Sequence, residues 1–314
     1  METFERTEPQ RVVTLIASAT EIVAALGCGD RLVGRSHECD HPPLALTLPA
    51  LTEPKFKVEG TSGDIDRKVR AIVAEGLSVY RVDAEQLRSL APDVIVTQDH
   101  CGVCAVSLSD VEAATCDWVG GPARIVSLRP DGLTDVYDDI RKVAAALAVE
   151  ERGDKLIAEM RHRFTDLRER STRLPRPRVA FVEWSEPLMC GGNWMPTLID
   201  IAGGDNLFGT AGGKSEVLAW ADFAGADPEV IVIAPCGYHL AASLRDHEML
   251  AQIPGWEKLS AVRQGRVCCA DGNAYFNRPG PRLVESAEIM AEILHPDHFA
   301  FGHRGRGWVS IGQR

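Results

Sequence analysis

The chain has 314 residues, 45% hydrophobic and 25% charged, enough for two domains at about 150 residues each. Lys plus Arg number 34 against 45 for Asp plus Glu, a net charge of −11, and such a surface repels polyphosphate, so neither nucleic acid nor anionic membrane is expected as a partner. No stretch approaches the roughly 18 apolar residues of a spanning helix, which argues against membrane insertion, and nine cysteines, an odd number in a chain this long, do not read as a disulfide framework.

Arg11 to Ile16 reads as a short buried strand, and Ser18-Ala-Thr-Glu21 has the capping-box spacing that opens a helix running to Gly27. The apolar run Val12 to Ala17 is too short for the core of an export signal, and Glu21 interrupts it before Cys28, so a cytoplasmic protein with reduced thiols is expected. Leu32 to Gly34 predicts a second strand, ended by Pro42 and Pro43 after a His37-Glu-Cys39-Asp-His turn. Ile65 to Glu75 reads as a helix, Leu77 to Val82 as a strand, Ala84 to Ala91 as a helix and Pro92 to Thr97 as a strand. Strands alternating with helices imply a parallel sheet. From Glu150 to Thr172, apolar Leu156, Ile157, Met160, Phe164 and Leu167 recur three or four residues apart, predicting one amphipathic helix of about 34 Å.

Beyond Pro175 and Pro177 the order repeats. Arg178-Val-Ala-Phe-Val182 matches Arg11-Val-Val-Thr-Leu15, Ile201 to Gly209 resembles Leu26 to Gly34, and Pro228-Glu-Val-Ile-Val parallels Pro92-Asp-Val-Ile-Val. Three matches in one order predict two Rossmann-like α/β lobes with mostly parallel sheets, joined by the long helix, with a ligand cleft between the lobes and an insertion in the first between residues 41 and 84. The expected division is an N-terminal lobe over 1–130, a helical segment over 131–175 and a C-terminal lobe over 176–314. The glycine-rich tail after His295 is expected to be peripheral.

In open α/β sheets ligands bind outside the carboxyl ends of the parallel strands. Cys39, Cys101, Cys104 and Cys236 all fall on loops after predicted strands, and Cys101-Gly-Val-Cys104 has a spacing that can bite one metal ion, with His37 as a further ligand. Zinc or an iron–sulfur cluster, a Cys101–Cys104 redox pair and plain packing all remain open for these thiols. A second wall is aromatic and polar: Trp184 and Trp194 follow the first strand of the second half, and Asn273, Tyr275, Phe276, Asn277 and Arg278 follow another. Rings with amide and guanidinium groups beside them suit a large flat ligand. There is no Gly-x-Ser-x-Gly elbow, Walker loop or His-Glu-x-x-His, so nothing marks the chain as a hydrolase or nucleotide-triphosphatase.

Thr14 to Ile22 with Leu32-Val-Gly34, Leu90 to Val96, Gly203-Gly-Asp-Asn-Leu-Phe208 and Pro281-Arg282 together resemble the helical-backbone substrate-binding proteins of ABC importers, cobalamin-binding type. The resemblance implies two α/β lobes on one long helix with cobalamin, haem, a siderophore or a metal ion in the cleft, and it places Trp184 and the Tyr275-Phe276 loop among cleft segments. It puts the permease-docking acid of the first lobe at Glu85 and that of the second at Ala221, beside Asp222, a departure that argues against docking. The expectation is a cytosolic protein that holds cobalamin or a related metal-containing small molecule. The alternative is a metalloprotein or enzyme with a cysteine-ligated zinc or iron–sulfur site.

Overall fold

The structure, a computed structural model, describes residues 10–74, 79–99, 110–111 and 123–312. It divides into two compact units, the first drawn from Met1–Glu59, Arg67–Pro130 and Thr134–Glu159, the second from Gly60–Asp66, Asp131–Leu133 and Met160–Arg314.

The first unit begins with β1 (Val12–Thr14), α1 (Ala17–Ala25) and β2 (Leu32–Arg35). There follow β3 (Thr52–Pro54), α2 (Ser62–Ala74), β4 (Tyr80–Val82), α3 (Ala84–Ser89), β5 (Val94–Gln98), β6 (Arg124–Leu128), α4 (Leu133–Ala146) and α5 (Glu150–Ser171). Its sheet runs β2-β1-β5-β6 with every pairing parallel. β1 and β5 are buried along their whole length, and this is why they read as unbroken apolar runs: a parallel strand covered on both faces has no solvent side on which to alternate. α3 starts where Asp83 accepts a hydrogen bond from the Gln86 amide at 2.9 Å. The expected capping box at Ser18 does not form. α1 starts at Ala17, so Ser18 lies buried inside it, and the nearby Thr20 hydroxyl is bonded instead to that of Thr14 at 2.6 Å.

Of the expected strand over Leu77 to Val82, residues 77 and 78 lie outside the described residues, and Tyr80–Val82 pairs outside the main sheet. β4 pairs antiparallel with β3 as a separate two-stranded ribbon, with Thr52 opposite Val82.

α5 presents Ile157, Met160, Phe164 and Leu167 on one buried face, as their spacing requires, and extends about 33 Å. Its residues through Glu159 belong to the first unit and those from Met160 to the second, so one long helix joins the two.

The second unit continues with β7 (Arg178–Ser185), β8 (Leu188–Cys190), α6 (Met195–Ile201), β9 (Asp205–Asn206), β10 (Glu216–Val217) and α7 (Trp220–Ala226). It ends with β11 (Val230–Ile233), α8 (Leu240–Leu250), α9 (Ser260–Arg263), β12 (Val267–Ala270), α10 (Leu283–Leu294) and β13 (Trp308–Ile311). β9 and β11 flank β7 in parallel and β12 follows β11, so the repeated motifs occupy the same places in both sheets: β7 stands where β1 does, β9 where β2 does, and β11 where β5 does. Three antiparallel additions make this sheet mixed: β8 with β10 on one side and β13 on the other. The tail after His295 is therefore not peripheral, since β13 covers the edge of β12. Val182, Phe223, Ile231, Ile233, Trp256 and Cys269 share one apolar core.

Candidate functional site

Three segments meet at the carboxyl ends of adjacent parallel strands in the second unit: Trp184-Ser185 closes β7 itself, the loop Pro235 to His239 follows β11, and the loop Asp271 to Asn277 follows β12. They are laced by backbone bonds. The Cys236 amide donates to the Glu183 carbonyl at 3.1 Å, and the Asn273 amide donates to the Tyr238 carbonyl at 3.1 Å. Gly272 to Phe276 form a single wide π-turn, in which the Asp271 carboxylate accepts from the Ala274 amide at 2.7 Å and the Asn277 side-chain amide donates to the Gly272 carbonyl at 2.8 Å.

On this scaffold the half-buried rings are Trp184, Tyr238 and Tyr275. Trp184 meets Tyr238 edge to face at 5.4 Å between centroids and anchors its indole N–H on the Glu186 carbonyl at 2.9 Å. Tyr275 lies under the Arg282 guanidinium at 5.2 Å and against the edge of His303 at 5.9 Å, while its carbonyl accepts from the Ser286 hydroxyl at 2.6 Å. Burial raises the pKa of the Tyr275 phenol and pushes that of Tyr238 up to about 12, so both stay neutral donors.

The other members of the aromatic and polar wall fall differently. Phe276 is only 1% exposed and packs on Phe181 at 5.2 Å, so its ring belongs to the core. Trp194 is 8% exposed and donates its indole N–H to the Phe276 carbonyl at 2.9 Å, holding the turn from beneath. Arg278 is buried at 4%, and the amide of Asn277 is engaged in closing the turn. Asn273 is half-buried beside Tyr238 and His239. Tyr238 and His239 are not among the residues that sequence reasoning singles out, since Cys236-Gly-Tyr-His draws attention for its thiol alone. Their signal is the same as for Trp184, position just after a buried parallel strand.

The thiols give no metal cage among the described residues, where no group of three or more His, Cys, Asp and Glu side chains is placed to hold an ion. Cys39 is fully buried with Ala17 and Ala45 in a small apolar cluster, and Cys236 is exposed. His37 donates to or accepts from the Thr52 hydroxyl at 2.8 Å through Nδ1 and stacks at a tilt on Tyr80 at 5.1 Å, with its pKa lowered by burial and then by Arg35. Cys101 and Cys104 lie outside the described residues. Cys268 and Cys269 are free, buried thiols within β12.

Glu183, on β7 one residue before Trp184, holds a buried carboxyl whose pKa burial raises, only partly offset by the Ser215 hydroxyl donating to it at 2.8 Å. Beside it, burial pushes the Cys190 thiol up to about 12. A raised folded-state pKa means that the folded protein holds this proton more tightly than the unfolded chain does. Stability is therefore greatest below the ordinary value of 4.5 and declines as pH rises from there through the folded-state value. Glu183→Gln keeps an oxygen for Ser215 and removes the titration, so denaturation midpoints measured from about pH 4.5 to 8 are expected to flatten, with the variant the more stable of the two at the alkaline end. An unchanged slope would show that Glu183 is ionised in the folded state.

A family model described as periplasmic binding protein matches residues 12–274. The chain is 25% identical over 298 residues to the ABC transporter substrate-binding lipoprotein YvrC of Bacillus subtilis strain 168, covering 93% of this chain and 82% of the relative. It is 24% identical over 300 residues to the vitamin B12-binding protein of Vibrio cholerae serotype O1, covering 91% and 89%. A periplasmic haem-binding protein from Pseudomonas aeruginosa superposes with a TM-score of 0.72 at 21% identity, covering 98% of this chain and 99% of that one. The family and the Bacillus subtilis relative overturn the expectation of a cytoplasmic protein, since the first is described as periplasmic and the second as a lipoprotein. The physical reason is that Val12 to Ala25 are β1 and α1 of the folded first unit, and a stretch built into the fold carries no information about export.

Proposed function

We propose, because the chain belongs to the periplasmic binding protein family, that it is the substrate-binding component of an ABC importer and that its cargo is a metal-centred tetrapyrrole of the corrinoid kind. The observation that carries the reading is the set of half-buried rings, Trp184, Tyr238 and Tyr275, gathered at the carboxyl ends of three adjacent parallel strands, with the Asn273 amide among them. Flat apolar faces with a few polar groups at their margins match a macrocycle edged by amides. The ligand of the Vibrio cholerae relative, vitamin B12, supports the same class.

Delivery to a permease is part of the proposal. Glu85 and Asp222 are both exposed in the first turns of α3 and α7, the helices that precede the matching strands β5 and β11. An acid is thus available at the corresponding place in each unit, one residue beyond Ala221 in the second.

Titration with aquocobalamin and, separately, with haem tests the reading by absorbance and tryptophan fluorescence. Saturable binding of the corrinoid below tens of micromolar is expected, weakened about tenfold by Trp184→Ala and again by Tyr275→Ala. Absence of any corrinoid binding at that concentration would overturn it.

A further inference from the structure

His239 is the first residue after Tyr238 and immediately precedes α8; its side chain is 65% exposed. Two contacts aim its ring. Nδ1 faces the Asp271 carboxylate at 3.4 Å, and Nε2 faces the Asn273 side-chain nitrogen at 3.4 Å. Asp271 is itself fixed, because its other oxygen accepts from the Ala274 amide at 2.7 Å. The two contacts require the same tautomer. A carboxylate only accepts, so Nδ1 carries the proton; an amide nitrogen only donates, so Nε2 presents a lone pair. An imidazole whose N–H rests on a carboxylate and whose other nitrogen presents a lone pair is the arrangement by which histidine ligates a metal, the carboxylate fixing the orientation of the ring. At 3.4 Å the bond to Asn273 is long and is given up at little cost.

Resting on the corrinoid reading above, we infer that His239 is an axial nitrogen ligand to the metal of the cargo, with Asp271 as its positioning residue. The step is a ligand substitution. In aquocobalamin the cobalt–water bond breaks and water leaves, a cobalt–Nε2 bond forms, and the metal keeps its oxidation state. The site then discriminates among corrinoids by what occupies the exchangeable axial position, favouring those whose ligand an imidazole displaces over those, such as the cyano form, whose ligand it does not.

The test compares aquocobalamin with cyanocobalamin on the full chain at slightly acid pH, where the exchangeable ligand is water. Wild-type protein is expected to bind the aquo form about tenfold or more tightly than the cyano form and to shift its absorption bands to those of an imidazole adduct. His239→Ala should bind both forms equally without the shift, and added free imidazole should restore the spectrum. Asp271→Asn, which keeps an acceptor for Ala274, should reduce the preference about tenfold. Equal binding of both forms by wild-type protein with no spectral change would overturn the ligation and leave the corrinoid reading standing. Failure to bind either form would overturn the reading and the ligation with it.

Discussion

Glu292→Ala is expected to cost about 3 kcal/mol of stability and to release the C-terminal strand. The Glu292 side chain, 3% exposed on α10, accepts three donors: the Trp308 indole N–H at 2.7 Å, the Gly302 amide at 2.7 Å and, more weakly, the His303 amide at 3.3 Å. Trp308 opens β13, the strand that pairs Ser310 with Cys268 and Val309 with Cys269. Removing the carboxylate leaves buried donors without partners, and each such group costs about 1–3 kcal/mol. Glu292→Gln is expected to fall between the two, because an amide offers one accepting oxygen where the carboxylate offers two. Denaturant melts give the stability, and amide hydrogen exchange at Val309 to Ile311 gives the detachment. A Glu292→Ala protein within about 0.5 kcal/mol of wild type, the range of an ordinary surface change, would mean that the tail is held by strand pairing alone.

That tail shows where reading a sequence runs out. Gly302, Gly305 and Gly307 make it look like a loop, and only four residues pair as β13; their partners lie about 40 positions earlier in β12, a relation no local pattern records. β1, β5, β7 and β11 were legible for the opposite reason, since burial on both faces forces the unbroken apolar runs that also betray the duplication. α5 was legible because its buried face repeats every three or four residues over six turns. The site was half legible. Position after a parallel strand drew Trp184, Asn273 and Tyr275 into the proposed site, but it gave no means of telling Tyr275 from Phe276. The π-turn decides that, sending Phe276 inward onto Phe181 and leaving Tyr275 half-exposed. Cytoplasmic location was misread because it was drawn from residues that the fold had already claimed.

Gly272→Ala is expected to damage that turn and the proposed binding site together. A Cβ at Gly272 would strike the Pro235 carbonyl oxygen and come within 2.7 Å of the Ala234 carbonyl oxygen, both main-chain atoms at the end of β11. No flexible side chain can yield there, so the loop after β12 must move away from the loop after β11, at about 2–3 kcal/mol. Gly237 provides the contrast. It needs its φ of +75°, but a methyl group there would meet nothing within 4 Å, so Gly237→Ala carries only the left-handed backbone penalty of about 1–2 kcal/mol. The two substitutions separate conformational freedom from close approach at one site. Gly272→Ala should lower Tm further and, because the separation of the loops pulls Asn273 from the Tyr238 carbonyl and Asp271 from His239, should also weaken the proposed corrinoid binding well beyond Gly237→Ala. Equal losses in the two variants would show that the loops tolerate displacement. The register between them is then not what sets the geometry of Trp184, Tyr238 and His239.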